Sequence, residues 1–428
     1  MKKALILTYY WPPGSGPGVQ RWLKFCKYLP EFGWDTKVIT VNNGSYPSVD
    51  SSLENDIPEG LEIHKTKTIE PFAIYNALRG KKGKSVEVAL ASVKGKQSPF
   101  SKFANYVRSN YFIPDARVGW NTYSFPKAIE LIKKDRPDVI ITTGPPHSTH
   151  LVGQRLHKMF DIPWVADFRD PWTTIYYNQF LLRTDSSIRK DKALEDLVLS
   201  EASALVTATP GMKAEYEERA NSVQFLTNGF DQSDFPEDIL PREETFTISY
   251  VGNFKPIQNI EILWQALKDL STEGASLKLQ ITGNVAEEVS KSILTHGLDH
   301  MLEVLPFVPH HESIKRMMSA HMLLLPIPQD ASSKLILTGK IFEYLATRRP
   351  ILSIGPPHGN ASSILDDCEK ESMIDYKDLE GLKMQIKTQL DLWSSGQYEP
   401  ISGNDNYTKY SRKGVTESLA QLLNTLVE

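Results

Sequence analysis

The feature that most constrains this chain is a series of short apolar runs, each separated from the next by a segment long enough for a helix. The first run, Ala4 to Thr8, is followed by a loop rich in proline and glycine and then by apolar residues at helical spacing. Gly33 stands where a helix would end, and Thr36 to Val41 forms the second run. The order strand, helix, strand predicts a β–α–β unit and therefore a parallel sheet.

The same pattern continues along both halves of the sequence. Segments of helical length again separate the runs, which is typical of α/β folds. We expect further strands at Val139 to Thr143, Trp164 to Phe168, Ala204 to Thr209, Val223 to Leu226, Phe246 to Val251, Leu277 to Thr282, His321 to Pro326 and Pro350 to Ile354. The pattern predicts an α/β protein with two doubly wound, Rossmann-like domains.

An acidic stretch that contains prolines, DQSDFPEDILPREE, separates the two halves. At 428 residues the chain exceeds what one hydrophobic core usually serves. We therefore predict an N-terminal domain over residues 1–240 and a C-terminal domain over residues 241–406, facing each other across a cleft. An amphipathic helix within residues 407–428 is expected to pack back across the hinge.

The composition is that of a globular protein and excludes several classes. Apolar residues make up 40% of the chain and charged residues 23%, which is ordinary for a folded protein. The net charge of -4 lacks the basic surplus of a protein dedicated to nucleic acid. Only Cys26 and Cys368 occur, so neither a disulfide framework nor a zinc site is indicated. No apolar run has the length of a membrane-spanning helix, and the first is too short for a signal peptide, so we expect a cytoplasmic protein.

A basic segment interrupts the α/β pattern. Residues 79–96 carry six lysines and arginines against one glutamate, and aromatic residues follow within an insertion that extends to about residue 112. One interpretation is a solvated surface insertion. The other is peripheral contact with anionic lipid head groups at the inner face of the plasma membrane, because basic residues beside exposed aromatics bind such surfaces.

In doubly wound sheets ligands bind beyond the carboxyl ends of the strands, so the loops there are the candidate sites. The first such loop contains Gly14, Gly16 and Gly18 at alternate positions. Glycines let the backbone approach a ligand closely, and the helix expected to begin near Val19 would direct free N–H groups at an anion. These three glycines are therefore candidate ligand-binding residues.

Two further strand ends carry polar residues. The strand ending at Thr143 leads to His147, and the strand containing Asp167 leads to Arg169 and Asp170. Arg169 could bind a phosphate, and Asp170 could orient it or contact a hydroxyl. Asp167 fits an internal salt bridge as well as a functional role, and His147 fits a structural hydrogen bond as well as a catalytic one.

The second half carries its own anion-binding pattern. Gly339 begins a helix, which places Lys340 in the first turn and Glu343 on the same face. Lys340 could bind a diphosphate and Glu343 could accept from ribose hydroxyls, although a surface Lys–Glu pair would look the same. A second glycine turn, which follows the first strand of this half, could close on the same phosphates through Gly252, Asn253 and Lys255.

Several catalytic signatures are absent from the sequence. It contains no Asp-x-Asp pair, so a metal–carboxylate site is not indicated, and we expect neither a metal nor a cofactor. It also lacks HExxH, GxxxxGK[ST] and GxSxG, which argues against zincins, P-loop phosphotransferases and serine hydrolases of the elbow type.

With these residues in view, the chain resembles the GT-B glycosyltransferases of family 4 over nearly its whole length. The resemblance is carried by ADFRDPW, NGFD and GKIFEYLATRRP, which stand at Ala166 to Trp172, Asn228 to Asp231 and Gly339 to Pro350. It implies a nucleotide-sugar donor bound mostly by the C-terminal domain, a glycan or lipid-linked acceptor bound mostly by the N-terminal one, and retention of anomeric configuration.

The resemblance also assigns roles to residues. It implies that Gly16 and Gly18 approach the donor, that Glu343 binds the ribose, and that Arg169 lies where many relatives have a histidine. The sequence departs from the family by having Leu335 in place of a second glutamate, and by having Asn253 and Gln258 where Arg and Lys are common. Lys255 and Lys340 then remain as the phosphate cations.

Two other functions fit the same scaffold. A nucleotide-sugar 2-epimerase would need acid/base carboxylates and histidines around the sugar, for which His147 is the available candidate. A non-catalytic nucleotide-sugar binding protein would keep Lys340 and Glu343 without turnover.

Overall fold

The structure is a computed structural model that describes residues 1–70, 99–236, 243–330 and 332–428. The chain divides into two compact units. Unit 1 comprises Met1–Asn228 with Val415–Glu428, and unit 2 comprises Gly229–Gly414. The basic segment at residues 79–96 lies outside the described residues.

Within the described residues, unit 1 is built on a seven-stranded parallel sheet. Its strands are β1 (Lys2–Leu7), β2 (Trp34–Val41), β3 (Glu62–Thr66), β4 (Val139–Gly144), β5 (Trp164–Phe168), β6 (Ala204–Thr207) and β7 (Val223–Phe225). The spatial order is β3-β2-β1-β4-β5-β6-β7. Successive strands are added to one side of β1 up to β3 and to its other side from β4 onwards. This reversal of strand order, between the adjacent β1 and β4, is where a doubly wound fold opens a ligand crevice.

Helices cover both faces of this sheet. They are α1 (Pro17–Tyr28), α2 (Pro99–Tyr111), α3 (Asn121–Lys134), α4 (Ser148–Phe160), α5 (Asp185–Glu201) and α6 (Pro210–Tyr216). Two apolar clusters form, one against each face, and the fully buried Trp22 and Trp164 belong to different clusters. Burial on both faces explains why the central strands are continuous apolar runs rather than alternating ones.

Unit 2 repeats the architecture on a smaller scale. Its described strands are β8 (Phe246–Val251), β9 (Leu277–Thr282), β10 (Leu302–Leu305), β11 (Met322–Pro326) and β12 (Ile351–Ile354), in the order β10-β9-β8-β11-β12 and all parallel. Its described helices are α7 (Glu261–Thr272), α8 (Glu287–Thr295), α9 (His310–Ser319), α10 (Lys340–Thr347), α11 (Asn360–Asp367) and α12 (Leu379–Ser394). The reversal point lies between β8 and β11.

The C-terminal segment contributes to both units. The chain ends in α13 (Arg412–Val427), which begins later than the predicted residue 407 because a short 3-10 turn occupies Asp405–Tyr410. Val415, Leu419 and Leu423 are buried in one of the unit 1 clusters. The end of the chain therefore packs on the core of unit 1.

The division between the units falls at a different residue from the predicted 240. Unit 2 begins at Gly229, because Phe230 pairs with the segment before α13: its N–H donates to Tyr410 O at 3.2 Å, and it accepts from Arg412 N at 2.6 Å. This backbone pairing joins residues that lie far apart in sequence. The acidic stretch that marked the boundary therefore starts inside unit 2.

The α/β class and the doubly wound arrangement in each half are confirmed. The sequence analysis missed β3 and β10, which lie at sheet edges and have mostly half-exposed side chains. Their sequences, EIHKT and LEVL, therefore lack the long apolar runs of central strands. None of the described helices combines the length and the apolar character needed to cross a membrane.

Candidate functional site

Unit 1 places its candidate residues at the reversal point of the sheet. The glycine loop, residues 11–18, leaves the carboxyl end of β1, and the segment 144–147 leaves the carboxyl end of the adjacent β4. Arg169 follows β5, which pairs with β4, and its N–H donates to Gly144 O at 3.0 Å. The three segments therefore meet at one edge of the sheet.

Gly14 and Gly16 of the first loop are required to be glycine for different structural reasons. Gly14 is packed: its N–H donates to Trp11 O at 2.9 Å, and an added Cβ would lie 2.6 Å from the Tyr46 ring. Gly16 caps α1 with φ near 120°, a conformation that side chains rarely adopt, and its Cβ position is open. Gly16 therefore fits the predicted close approach of a ligand, whereas packing alone accounts for Gly14.

Gly18 makes room for Arg169. A Cβ at residue 18 would lie 1.2 Å from Nη1 and 2.4 Å from Cζ of the guanidinium, so the absence of a side chain allows the arginine to lie against α1. The glycine loop and the arginine, distant in sequence, form one structure.

The guanidinium of Arg169 is only partly satisfied. Nη2 donates to Pro145 O, while Nε is buried without a partner among the described residues. Burial lowers the pKa of Arg169, and the nearby carboxylates Asp167 and Asp170 oppose that shift. Burial also raises the pKa of Asp170, against the influence of Arg169. The side chain of Arg169 is nevertheless partly exposed, and a guanidinium of this kind is suited to binding an anionic oxygen.

Asp167 belongs to an internal network rather than to the exposed site. It is fully buried and pairs with Arg21 Nη2 at 2.9 Å, while Trp22 Nε1 and Thr143 Oγ1 donate to its other oxygen. Arg21 also donates to Thr227 O at 2.8 Å. The structural interpretation of Asp167 is therefore the correct one, and the network fixes α1 against the ends of β4 and β5.

His147 lies in an aromatic cluster. Its ring stacks on Trp172 with centroids 5.0 Å apart and lies 5.5 Å from Phe168, which in turn stacks on His150 at 4.6 Å. Burial, reinforced by the charge of Arg169, lowers the pKa of His147 to about 3, and the backbone at Pro171 opposes that shift only weakly. The ring is neutral at physiological pH and is a weak proton acceptor there, so a role in packing or in hydrogen bonding suits it better than general-base catalysis.

Acidification should therefore destabilise the protein through His147. An unfolded histidine binds a proton below about pH 6.5, whereas folded His147 stays neutral down to about pH 3, so stability is lost as the pH falls through that window. The loss is about 1.4 kcal/mol per pH unit. Urea unfolding at pH 6.5 and pH 5.0 should show a smaller difference for His147→Gln than for the wild type.

The matched control for this experiment is His311→Gln, since His311 is exposed. This variant should keep the wild-type difference between the two pH values. Equal pH dependence in His147→Gln and the wild type would contradict the neutral, buried state of His147.

Unit 2 presents a second loop at its own reversal point. Gly252 follows β8 with φ near 124°, and its N–H donates to Thr282 O at 2.8 Å. Asn253 is held by its carbonyl, which accepts from Tyr250 OH at 2.9 Å, and by its side chain, which accepts from Asn284 at 3.1 Å. Lys255 is exposed, and its backbone N–H donates to Gln258 at 3.1 Å. Hydrogen bonds therefore hold the backbone of this loop, while the side chain of Lys255 is exposed to solvent.

Lys340 lies over this loop. A Cβ on Gly252 would be 2.7 Å from Lys340 Cε and 2.8 Å from Nζ, and Nζ lies 5.2 Å from the centre of the Tyr250 ring. Burial lowers the pKa of Lys340; Glu343 opposes that shift and the cation of Lys255 adds to it. Gly252 and Lys340 thus form a contact between a strand-end loop and the first turn of α10.

Glu343 has a partner that the sequence did not indicate. Its Oε1 lies 3.0 Å from Nε2 of His310, the first residue of α9, and its side chain is 33% exposed. No Lys340–Glu343 ion pair occurs, because Lys340 turns towards Gly252 and Tyr250. The run PHHES, with its two adjacent histidines, gives no signal of this contact. The approach of α9 to α10 creates it.

Gly339 directly precedes α10, as predicted, and its Cβ position is open. Across the described ranges, no group of three or more His, Cys, Asp or Glu side chains is arranged to hold a metal ion. Cations lie at both reversal points: Arg169 in unit 1, and Lys340 and Lys255 in unit 2.

The comparison with known families matches part of unit 2. Residues 231–330 match the family described as Glycosyl transferases group 1. The matched segment contains the loop from Gly252 to Lys255 and ends before Lys340. No curated protein matches the chain.

Solved structures match over the full length. Sucrose-phosphate synthase from Thermosynechococcus elongatus has a TM-score of 0.63 at 11% identity, with 100% of this chain and 99% of that chain covered. A glycosyltransferase from Rickettsia africae has a TM-score of 0.62 at 12% identity, with coverage of 100% and 99%. At such identities the likeness shows the fold, and the predicted GT-B architecture of two Rossmann-like domains is confirmed.

The same fold also occurs with another chemistry. A protein from Listeria monocytogenes that is named as a UDP-N-acetylglucosamine 2-epimerase has a TM-score of 0.52 at 9% identity, with 99% of this chain and 96% of that chain covered. Function must therefore be argued from the residues of the site.

Proposed function

We propose that this protein is a glycosyltransferase that moves a sugar from a nucleotide-sugar donor to a glycan or lipid-linked acceptor. The observation that carries the proposal is the half-buried ammonium of Lys340 over Gly252, at the reversal point of unit 2. The match of residues 231–330 to a glycosyltransferase family supports it.

The lysines of unit 2 are suited to a diphosphate. Lys255 and Lys340 are close enough for each cation to disfavour the other, and this contributes to the lowered pKa of Lys340. A bound diphosphate would relieve that repulsion and replace the water lost on burial. Glu343 is available to accept from ribose hydroxyls, with His310 fixing its orientation at 3.0 Å. Gly252, Asn253 and Gly339 would line the donor.

The residues of unit 1 would serve the transferred sugar and the acceptor. Arg169 offers a partly exposed guanidinium, for which Gly18 makes room against α1, and Gly16 leaves the loop open to a ligand. Asp170 is exposed and would contact a hydroxyl. His147 would shape the site as a neutral ring. In this reaction the bond from the anomeric carbon to the β-phosphate oxygen breaks and a bond to the acceptor oxygen forms. The acceptor proton passes to the departing phosphate, and the configuration is retained.

The charge that develops on the leaving diphosphate needs stabilisation. In our proposal Lys340, Lys255 and Arg169 supply it without a metal ion, in keeping with a sequence that lacks Asp-x-Asp. Polysaccharide or glycoconjugate synthesis is the corresponding cellular role, in the cytoplasm. Residues 79–96, outside the described residues, would contact anionic lipid there, which sedimentation with acidic vesicles would test.

The two alternatives make different demands on the site. A 2-epimerase needs groups that remove and return a proton on the sugar, and a histidine with a pKa of about 3 serves that purpose poorly near neutral pH. A pure binding protein would bind the nucleotide sugar and leave it intact. Transferase activity is therefore the proposal we favour.

Incubation with a panel of nucleotide sugars should separate these functions. Without acceptor, we expect slow hydrolysis of one donor to free sugar and nucleoside diphosphate, and the rate should be unchanged in excess chelator. Chromatography of the products identifies the reaction. Formation of an epimer would favour the isomerase, and binding without turnover would favour the binding protein. Activity that disappears in chelator and returns with manganese would contradict metal independence.

A further inference from the structure

Helix α5 carries two buried carboxylates outside both candidate sites. Asp191 and Glu195 are four residues apart, so their side chains share one face of the helix. The side chain of Asp191 is 3% exposed, and that of Glu195 is fully buried. Neither residue follows a strand, so the sequence pattern that identified the other candidates did not identify these two. Both accept hydrogen bonds from residues 169–174, the Arg169 segment, which follows β5.

Glu195 holds Thr173 through both of its carboxylate oxygens. Thr173 N donates to Oε1 at 3.0 Å, and Thr173 Oγ1 donates to Oε2 at 3.0 Å. Arg219 Nη2 lies 2.7 Å from Oε2 and balances the charge of the carboxylate. Hydrogen bonds to a charged acceptor are about twice as strong as those between neutral groups. The far end of the Arg169 segment is therefore fixed to α5.

Asp191 fixes the neighbouring Trp172. Trp172 Nε1 donates to Asp191 Oδ1 at 2.8 Å, and Arg183 Nη2 donates to Oδ2 at 2.6 Å. The backbone N–H of Trp172 donates to Tyr216 OH at 3.4 Å. The indole ring stacks on His147 with only 7° between the ring planes. Helix α5 thus holds Trp172 and, through it, the ring of His147.

The near end of the Arg169 segment is fixed by the sheet. The pairing of β4 with β5 ends at Gly144 and Phe168, and Arg169 N donates to Gly144 O at 3.0 Å. Arg169 and Asp170 therefore lie on a short stretch of backbone that β4 holds on one side and α5 holds on the other. Asp170 is exposed and Arg169 is partly exposed. The direction of both side chains depends on the backbone that these two anchors fix.

A buried ion pair is a weak source of stability. The desolvation of the two charges can exceed their attraction, and apolar residues of similar volume often serve as well. Asp191 nevertheless pairs with Arg183 in the interior, and the fully buried Glu195 pairs with the partly exposed Arg219. Two such pairs on one face of α5 indicate a geometric function, and the donors that both carboxylates orient belong to the Arg169 segment.

We propose that Glu195 is a positioning residue for the reaction, because through Thr173 it fixes the backbone that carries Arg169. Asp191 assists by holding Trp172. This inference rests on the proposed transferase function, in which Arg169 stabilises the leaving diphosphate. A displacement of about 1 Å in such a group can cost roughly a hundredfold in rate. Loosening one of the two anchors should therefore be visible in turnover.

Two adjacent threonines provide a matched pair of variants. Thr173→Val keeps the shape of the side chain but removes its hydrogen bond to Glu195, whereas Thr174→Val removes an exposed hydrogen bond to Glu215 at 2.9 Å. We expect Thr173→Val to lower kcat for nucleotide-sugar hydrolysis about tenfold. The KM for the donor should stay unchanged, because the proposed nucleotide contacts lie in unit 2. Thr174→Val should behave as the wild type, and Thr173→Ser, which keeps the hydroxyl, should retain most of the rate.

Amide hydrogen exchange on the same full-length proteins measures the anchoring directly. Peptides that cover residues 165–175 should exchange faster in Thr173→Val than in Thr174→Val or the wild type, while peptides from unit 2 should be unchanged. A double variant tests the route of the effect. In the background of Arg169→Ala, Thr173→Val should reduce the remaining rate much less, since both changes then affect the same interaction.

Three results would overturn the proposal: wild-type kcat or wild-type exchange in Thr173→Val, an equal loss in Thr174→Val, or a loss that persists undiminished without Arg169. Urea unfolding shows whether each variant is folded. Should Thr173→Val not fold, Thr173→Ala removes the hydroxyl without placing a methyl group against the carboxylate. Absence of hydrolysis by the wild type would reject the transferase function itself, and hydrogen exchange would then still decide whether Thr173 anchors the segment.

Discussion

Gly18→Ala should reduce nucleotide-sugar turnover about a hundredfold while leaving the fold intact. The new Cβ would lie 1.2 Å from Arg169 Nη1, so the guanidinium must move away from α1. A misplacement of about 1 Å in a catalytic group can cost roughly a hundredfold in rate. Steady-state hydrolysis of the donor, measured beside urea unfolding, gives both quantities.

Stability should not fall with activity in this variant. Gly18 is the second residue of α1, and alanine is the better helix former by about 1 kcal/mol. The clash involves the end of a flexible side chain rather than backbone. Gln20→Ala, an exposed substitution in the same helix, should leave turnover unchanged and serves as the control.

A double variant shows whether the glycine acts through the arginine. If the Cβ harms activity only by displacing Arg169, Gly18→Ala should add little to the effect of Arg169→Ala, since the two residues then lose the same interaction. Additive losses would mean that Gly18 contacts the substrate independently. Wild-type turnover in the single variant would show that Arg169 need not lie against α1.

Lys340→Ala should lower the rate of turnover about ten- to a hundredfold, because a hydrogen bond to a charged group contributes roughly 1.5 to 3 kcal/mol. The charge on the diphosphate grows as the sugar departs, so the loss should appear mainly in kcat. Glu343→Gln should instead raise the KM for the donor, since ribose contacts change little during the reaction. Donor titrations with purified variants measure both constants.

The control for this pair is Lys268→Ala, which removes an exposed lysine of α7. It should behave as the wild type. Removing Lys340 should not destabilise the protein, because burial already disfavours its charge. Unchanged kcat and KM in both the Lys340 and Glu343 variants would show that this end of α10 lies outside the donor site.

The fold of each half followed from local pattern. Trp164 to Phe168, Phe246 to Val251 and Leu277 to Thr282 were predicted with the bounds that the structure has, because strands buried on both faces must be apolar throughout. β3 and β10 were missed, since an edge strand needs no such run. Local pattern therefore located the central strands of both sheets but did not identify these two edge strands.

From the sequence, the site could be predicted only as a set of residue types that follow the ends of strands. The sequence pointed to Arg169, Gly18, Lys340 and Gly252, because loops after parallel strands meet at one edge of a sheet. It could not show that Gly18 makes room for Arg169 or that Gly252 makes room for Lys340. Those contacts join residues that are far apart along the chain.

Partner choice was decided by tertiary structure. The sequence left Asp167 open between a salt bridge and a functional role, and the packing of α1 gave it Arg21. It left Glu343 open between binding ribose hydroxyls and a surface pair with Lys340, whereas the approach of α9 gave it His310 as a partner. The sequence alone thus determined the α/β class, the central strands and the kinds of groups at their ends. Which groups touch was settled only when helices packed on the sheets, because a side chain's partner depends on distances that local spacing does not encode.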